Sequence, residues 1–145
     1  MSQTFLLADD DTDDVELFQA ALNDIDTTIH FEKALNGLQL LNRLLEQSAT
    51  RPDIIFLDVN MPVMNGWKCL EAMKQQEELQ DIPVIIYSTS DQQNEEQRAK
   101  ELGALCYIKK PENYTRLKSI LSIVNSHVTT GSFADLCKAL HLKPI

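Results

Sequence analysis

Ile54-Ile55-Phe56-Leu57-Asp58-Val59-Asn60-Met61-Pro62-Val63-Met64-Asn65-Gly66 is the stretch whose reading decides the fold. Four apolar residues run straight into an aspartate, and Pro62 and Gly66 follow closely. A short apolar run bounded by turn residues reads as a strand buried on both faces, the kind found in parallel sheets. Asp58 then stands at the carboxyl end of a central strand, where open α/β sheets place their chemistry.

The rest of the chain repeats the pattern. Upstream, Thr4-Phe5-Leu6-Leu7-Ala8 is a second apolar run, again ending in carboxylates, Asp9, Asp10 and Asp11. Thr12 or Asp13 is placed to cap a helix whose apolar residues Val15, Phe18, Leu22 and Ile25 keep helical spacing. Asp13, Asp14 and Glu16 fall in its first turn, where the helix dipole favours negative charge. Residues 28–34 mix apolar and charged side chains and read as an edge strand. Leu38, Leu41, Leu44 and Leu45 mark a second helix, and Trp67, Leu70 and Met73 a third beginning after Gly66. Pro83-Val84-Ile85-Ile86-Tyr87 is a buried-type strand ending at Ser88. Residues 91–102 form a polar fourth helix closed by Gly103, and Leu105-Cys106-Tyr107-Ile108 is a fifth strand leading to Lys109-Lys110-Pro111. Leu117, Ile120, Leu121 and Val124 give the fifth helix. Strands alternate with helices at lengths suited to right-handed crossovers, which predicts a doubly wound α/β fold with a five-stranded parallel sheet.

Residues 1–126 read as one domain and 127–145 as a C-terminal tail. In the tail, Ser132-x-x-Asp135 has the form of a capping box, and Phe133, Leu136, Cys137 and Leu140 mark a short amphipathic helix. Alone it is too short to be stable in water, so it docks either on its own domain or in a homodimer or partner contact.

Composition bounds the function. With 22 acidic and 13 basic residues the net charge is −9, which argues against nucleic acid or anionic membrane as partners and favours a basic partner or a bound cation. No charged-then-apolar leader and no run of membrane-span length appear, so a cytoplasmic protein is expected. Cys69, Cys106 and Cys137 are widely spaced and read as free buried thiols in a reducing compartment. His30, His127 and His141 form no ligand-like cluster.

The chemistry gathers at four strand ends: the acids after strand 1, Asp58, Ser88 and Lys110. In a sheet ordered 2-1-3-4-5, strands 1 and 3 are neighbours and their carboxylates converge. Carboxylates sharing a cleft repel one another unless a cation is bound, and a hard divalent ion, Mg2+ or Mn2+, is the natural occupant. Phosphoryl transfer needs positioning and charge neutralisation. Asp58 is set to be the nucleophile that becomes an aspartyl-phosphate, with Ser88 and Lys110 on the phosphoryl oxygens.

The acidic residues after Leu6-Leu7-Ala8, the block Asp58-x-Asn60-Met61-Pro62-x-Met64-x-Gly66, Ser88 and Lys110-Pro111 together resemble the receiver domain of two-component response regulators. The likeness is to the chemotaxis-type single-domain regulators and spans residues 3–126. It implies a flavodoxin-like (βα)5 fold and transfer to Asp58 from a sensor histidine kinase or a phosphotransfer protein. It also implies Mg2+ held by Asp10, Asp58 and the Asn60 backbone carbonyl, with Asp9 acting through water. Further implications are a cis Lys110–Pro111 peptide and an aromatic switch at Tyr107 coupled to Ser88. The output is expected through protein contacts on the helix 4, strand 5, helix 5 face, without turnover of an external substrate. The run Asp13-Asp14-x-Glu16 is similar to small receivers paired with phytochrome-type kinases. A hydrolase of the haloacid-dehalogenase type, with Asp9 as nucleophile in Asp9-x-Asp11, and a receiver that binds a partner without being phosphorylated are the competing readings.

Overall fold

In the computed structural model, residues 2–46, 50–90 and 93–140 are described. Asp91 and Gln92 of the expected fourth helix, and His141 with the rest of residues 141–145, lie outside them. Five parallel strands, β1 (Thr4–Ala8), β2 (His30–Ala34), β3 (Ile54–Leu57), β4 (Val84–Ser88) and β5 (Cys106–Lys109), form one sheet ordered β2-β1-β3-β4-β5. They alternate with α1 (Thr12–Ile25), α2 (Gly37–Leu45), α3 (Gly66–Gln75), α4 (Gln93–Glu101) and α5 (Tyr114–Thr130), and a last short helix, α6 (Leu136–Ala139), closes the described chain. The expected doubly wound, flavodoxin-like fold is observed.

Alternation along the central strands sorts side chains into two cores. Phe5, Leu7, Ile54 and Phe56 pack with Phe18, Leu121 and Val124 on the side of α1 and α5. Leu6, Ala8, Ile55 and Leu57 pack with Leu40, Leu70, Met73 and Ala99 on the side of α2, α3 and α4. Successive residues of a strand face opposite ways, so a strand covered on both sides must be apolar throughout. β2 differs: it lies at the sheet edge, only Ala34 is buried, and Arg43 of α2 grips Glu32 through two hydrogen bonds. Charges on an edge strand discourage pairing with another chain.

Several local expectations need correction. Asp11, not Thr12 or Asp13, caps α1: its side chain accepts from the backbone N–H groups of Asp13 and Asp14. Asp11 is the residue that keeps extended backbone while still adjoining the free N–H groups. α5 runs without a break through residue 126 to Thr130 and ends at Gly131, whose left-handed φ of 71° suits a glycine cap. Ser132 makes no capping bond; its hydroxyl pairs with Thr130 Oγ1, and residues Phe133–Asp135 form a 3-10 turn before α6.

The cysteine expectation is overturned as well. Cys106 and Cys137 form a disulfide, and only Cys69 is a free buried thiol. The two are 31 positions apart, and what brings them together is burial of Leu136, Cys137 and Leu140 against the core on the α5 side. Each fully buried leucine contributes about 1.5–3 kcal/mol. The segment thus docks on its own domain, and the apolar residues considered for a dimer contact are turned inward.

Candidate functional site

Register places the acids. Ala8 pairs with Leu57, and the next residue in each strand continues the ladder: Asp58 N–H donates to the Ala8 carbonyl at 2.9 Å and Asp9 N–H to the Ala34 carbonyl at 2.9 Å. Asp9 and Asp58 therefore leave the sheet side by side, Asp9 fully buried and Asp58 nearly so. Asp10 is exposed at the mouth. One carboxylate oxygen from each of Asp9, Asp10 and Asp58 lies within 4.8 Å of the others.

Asp58 has its two oxygens assigned to different neighbours. Oδ1 accepts from Val59 N–H at 2.8 Å and more distantly from Asn60 N–H at 3.5 Å. Oδ2 faces Lys110 Nζ at 3.4 Å. The loop beyond is drawn tight by Gly66, whose N–H donates to the Val59 carbonyl at 3.0 Å. A Cβ at Gly66 would stand 2.1 Å from the Asp58 carbonyl oxygen, so only glycine lets α3 begin this close to the site. Val63, in the same loop, holds φ at 68° with its side chain 78% exposed, a strained conformation for a β-branched residue.

Lys110 crosses the cleft. Its N–H donates to the Ser88 carbonyl at 2.7 Å, which ties the end of β5 to β4. Its Nζ lies 2.7 Å from Asp9 Oδ2, 2.8 Å from Asp14 Oδ2 and 3.4 Å from Asp58 Oδ2, and 5.7 Å from the centre of the Tyr87 ring. The Lys110–Pro111 peptide is trans, which corrects the expected cis bond. Trans is the lower-energy form even before proline, and Lys110 reaches the acids from it without rearrangement.

The electrostatics follow from this packing. Burial pushes the Asp58 carboxyl up to about 6; the Lys110 ammonium pulls it down, and the Asp9 charge raises it again. Burial works against the Lys110 charge, yet its contacts with Asp14 and Asp9 and the charge of Asp58 hold its pKa above the usual lysine value. One lysine is shared among several acids, which is a cationic deficit. Asp9 Oδ2 shows it most plainly: it belongs to a fully buried carboxylate and rests on an ammonium that it shares with Asp14 and Asp58. A divalent cation with oxygen ligands fits this donor set.

Ser88 and Tyr107 stand beside the acids rather than among them. Ser88 is fully buried, and its Oγ accepts from Ser90 N–H at 3.3 Å. Tyr107 is buried too, its hydroxyl directed at the Ser90 carbonyl and at Glu95 Oε2 of α4, 2.7 Å away, with Ser88 adjoining. Burial, with the Glu95 carboxylate, raises its phenol to about 12, so it remains a donor. The Asn60 side chain is exposed. Two contributors were not anticipated. Asp14 reads in the sequence as a helix-dipole residue, and Tyr87 as the last apolar member of a strand. Only the side on which α1 packs turns them toward Lys110.

The family model of the response regulator receiver domain matches residues 5–122. The chain belongs to this family. It is a receiver domain of two-component signalling. Response regulator Rcp1 of Synechocystis sp. is 31% identical over 128 residues, covering 84% of each chain. A protein-glutamate methylesterase/protein-glutamine glutaminase of Clostridium acetobutylicum is 42% identical over 81 residues, 54% of this chain but 22% of that longer protein. Among solved structures, the phosphorylated cyanobacterial phytochrome response regulator RcpA superposes with a TM-score of 0.82 at 26% identity, covering 91% of this chain and 97% of that one. The Mn2+-bound form of response regulator Rcp1 superposes at 0.76 with 28% identity, covering 86% and 92%. Receiver domains bind Mg2+ or Mn2+ at an acidic pocket, and the cluster of Asp9, Asp10 and Asp58 fits such a pocket. Among the described residues, no helix is long and apolar enough to cross a membrane.

Proposed function

We propose that Asp58 is the phosphoacceptor of this receiver. The observation that carries the reading is the position of its carboxylate, buried at the end of β3 and facing Lys110, with Asp9 and Asp10 grouped beside it. A carboxylate oxygen of Asp58 attacks phosphorus, the phosphorus–nitrogen bond of a phosphohistidine breaks, and the imidazole leaves with the bonding pair. Lys110 offers its ammonium, and Ser88 its hydroxyl, to the oxygens of the transferred group.

Asp9, Asp10, Asp58 and the Asn60 backbone carbonyl would hold Mg2+ or Mn2+, which when bound supplies the positive charge that the acids and the phosphoryl oxygens lack. Tyr107 is the switch residue: its hydroxyl spans the loop after Ser88 and α4, so a change at Ser88 reaches the α4, β5, α5 face. That face is assigned to the downstream protein target, and the phosphodonor is a sensor histidine kinase or a phosphotransfer protein. Residues 1–126 form the signalling unit, acting in the cytoplasm without turnover of an external substrate, and residues 127–145 are accessory to it.

Incubation with acetyl phosphate and Mg2+, followed by intact mass, tests the assignment. The adduct is expected in the wild type, absent in Asp58→Asn and retained at a lower rate in Asp9→Asn. An adduct that survives in Asp58→Asn and disappears in Asp9→Asn would favour the hydrolase chemistry instead.

A further inference from the structure

Lys110 is claimed by a carboxylate that lies outside the acidic pocket. An ammonium has three N–H donors, and three carboxylate oxygens surround this one, from Asp9, Asp14 and Asp58. Two of these acids belong to the group of three oxygens that can share a cation; Asp14 does not. It comes from the first turn of α1, its backbone N–H fixed by the Asp11 cap at 3.1 Å. Its side chain is 31% exposed, whereas Lys110 is 9% exposed and cannot turn to bulk water.

On the reading of the site given above, a divalent ion and Lys110 compete for the same carboxylates, Asp9 and Asp58. A buried ammonium left without a partner is costly, so an ion can enter only if Lys110 keeps another counter-charge. Asp14 is that counter-charge, already 2.8 Å from Nζ. We propose that Asp14 is a positioning residue that holds Lys110 while Asp9 and Asp58 turn to the cation, and thereby sets how tightly the cation binds. The idea rests on the metal assignment, but it concerns a residue outside the ligand set and acts through Lys110.

Calorimetric titration of Mg2+ into four proteins tests it: the wild type, Asp14→Asn, Lys110→Met and the double variant, all at one ionic strength. Asp14→Asn is expected to weaken binding about fivefold, because Lys110 then falls wholly on Asp9 and Asp58. Lys110→Met is expected to tighten binding. In the Lys110→Met background, Asp14→Asn should change the affinity by less than about twofold, since the coupling runs through the lysine. Asp14→Glu should restore most of the wild-type affinity, which a purely structural role for the aspartate would not predict.

An equal loss in both backgrounds would mean that Asp14 acts only as a distant negative charge, and the proposal fails. Unchanged affinity in Asp14→Asn, with the wild type binding normally, overturns it while leaving the metal assignment intact. A wild type that takes up no Mg2+ overturns the assignment and this inference together.

Discussion

At the strand ends, Asp9 and Asp58 are buried with their charges facing a single ammonium, and Tyr87 closes over it. In the segment after α5, Leu136, Cys137 and Leu140 are buried against apolar neighbours, and a covalent bond ties Cys137 to β5. The first region spends stability to keep repelling groups close. The second gathers it from burial and from a closed loop. Chemistry and anchoring are thus assigned to different ends of the same β5–α5 unit, and each can be disturbed with little direct effect on the other.

Four measurements would break or sharpen that contrast. The largest change is expected at the anchored end. Reducing a bond that closes a loop of 31 positions removes about 3–4 kcal/mol by the chain-entropy estimate. For a chain of this size that is roughly 10 °C in Tm. Thermal melts with and without a thiol-free reductant should show the drop, and Cys137→Ala should not respond; a reductant-insensitive wild type would contradict the anchoring role. Next comes the frame of the cleft. Gly66→Ala drives a Cβ into the Asp58 carbonyl and is expected to cost about 3 kcal/mol, because backbone rather than a movable side chain must yield. Denaturant unfolding would reveal it, and a loss under about 1 kcal/mol would mean that the loop is softer than its close packing indicates.

The third is of opposite sign. The Asp58 carboxyl is raised from 3.8 to about 6 in the folded protein, so its charge opposes folding above that pH, and the opposition fades as pH falls from about 6 toward 3.8. At about 1.4 kcal/mol per pH unit, discounted for screening by solvent that reaches into the cleft, Asp58→Asn should stabilise the metal-free protein by about 1–2 kcal/mol at pH 7.5. The gain should shrink when the melts are repeated at pH 5, and a gain independent of pH would place its cause elsewhere. The smallest is at the rim: Val63 is the centre of a strained turn with positive φ, closed by Met64 N–H on the Pro62 carbonyl, and Val63→Gly, which has no Cβ to strain, should stabilise by about 1 kcal/mol. A lower Tm would indicate that the exposed valine is held by contacts that offset its strain.

How legible these regions were differs as their forces do. β3 was readable because a strand covered on both faces has to be apolar, so the polarity change at Asp58 marks its end. That acids after β1 meet Asp58 followed from strand order, whereas which of Asp9, Asp10 and Asp11 stands beside it is set by the observed register. Asp14 was not readable, since an acid in a first helical turn has an adequate local reason to be there. Its second role depends on α1 packing beside α5, which brings Asp14 to Lys110 in the loop after β5. The disulfide was hidden for a related reason: nothing local to Cys106 or Cys137 marks a partner, and only docking of Leu136 and Leu140 carries one sulfur to the other. The lysine–proline peptide was expected cis from resemblance, and the geometry around Lys110 does without it.

One bond has a further consequence for how the chain comes apart. Between Cys106 and Cys137 lie Tyr107, Lys110 and all of α5, so the buried tyrosine and the cleft lysine sit inside a covalent ring. A single protease cut within that ring releases nothing: both fragments travel as one species until a reductant separates them.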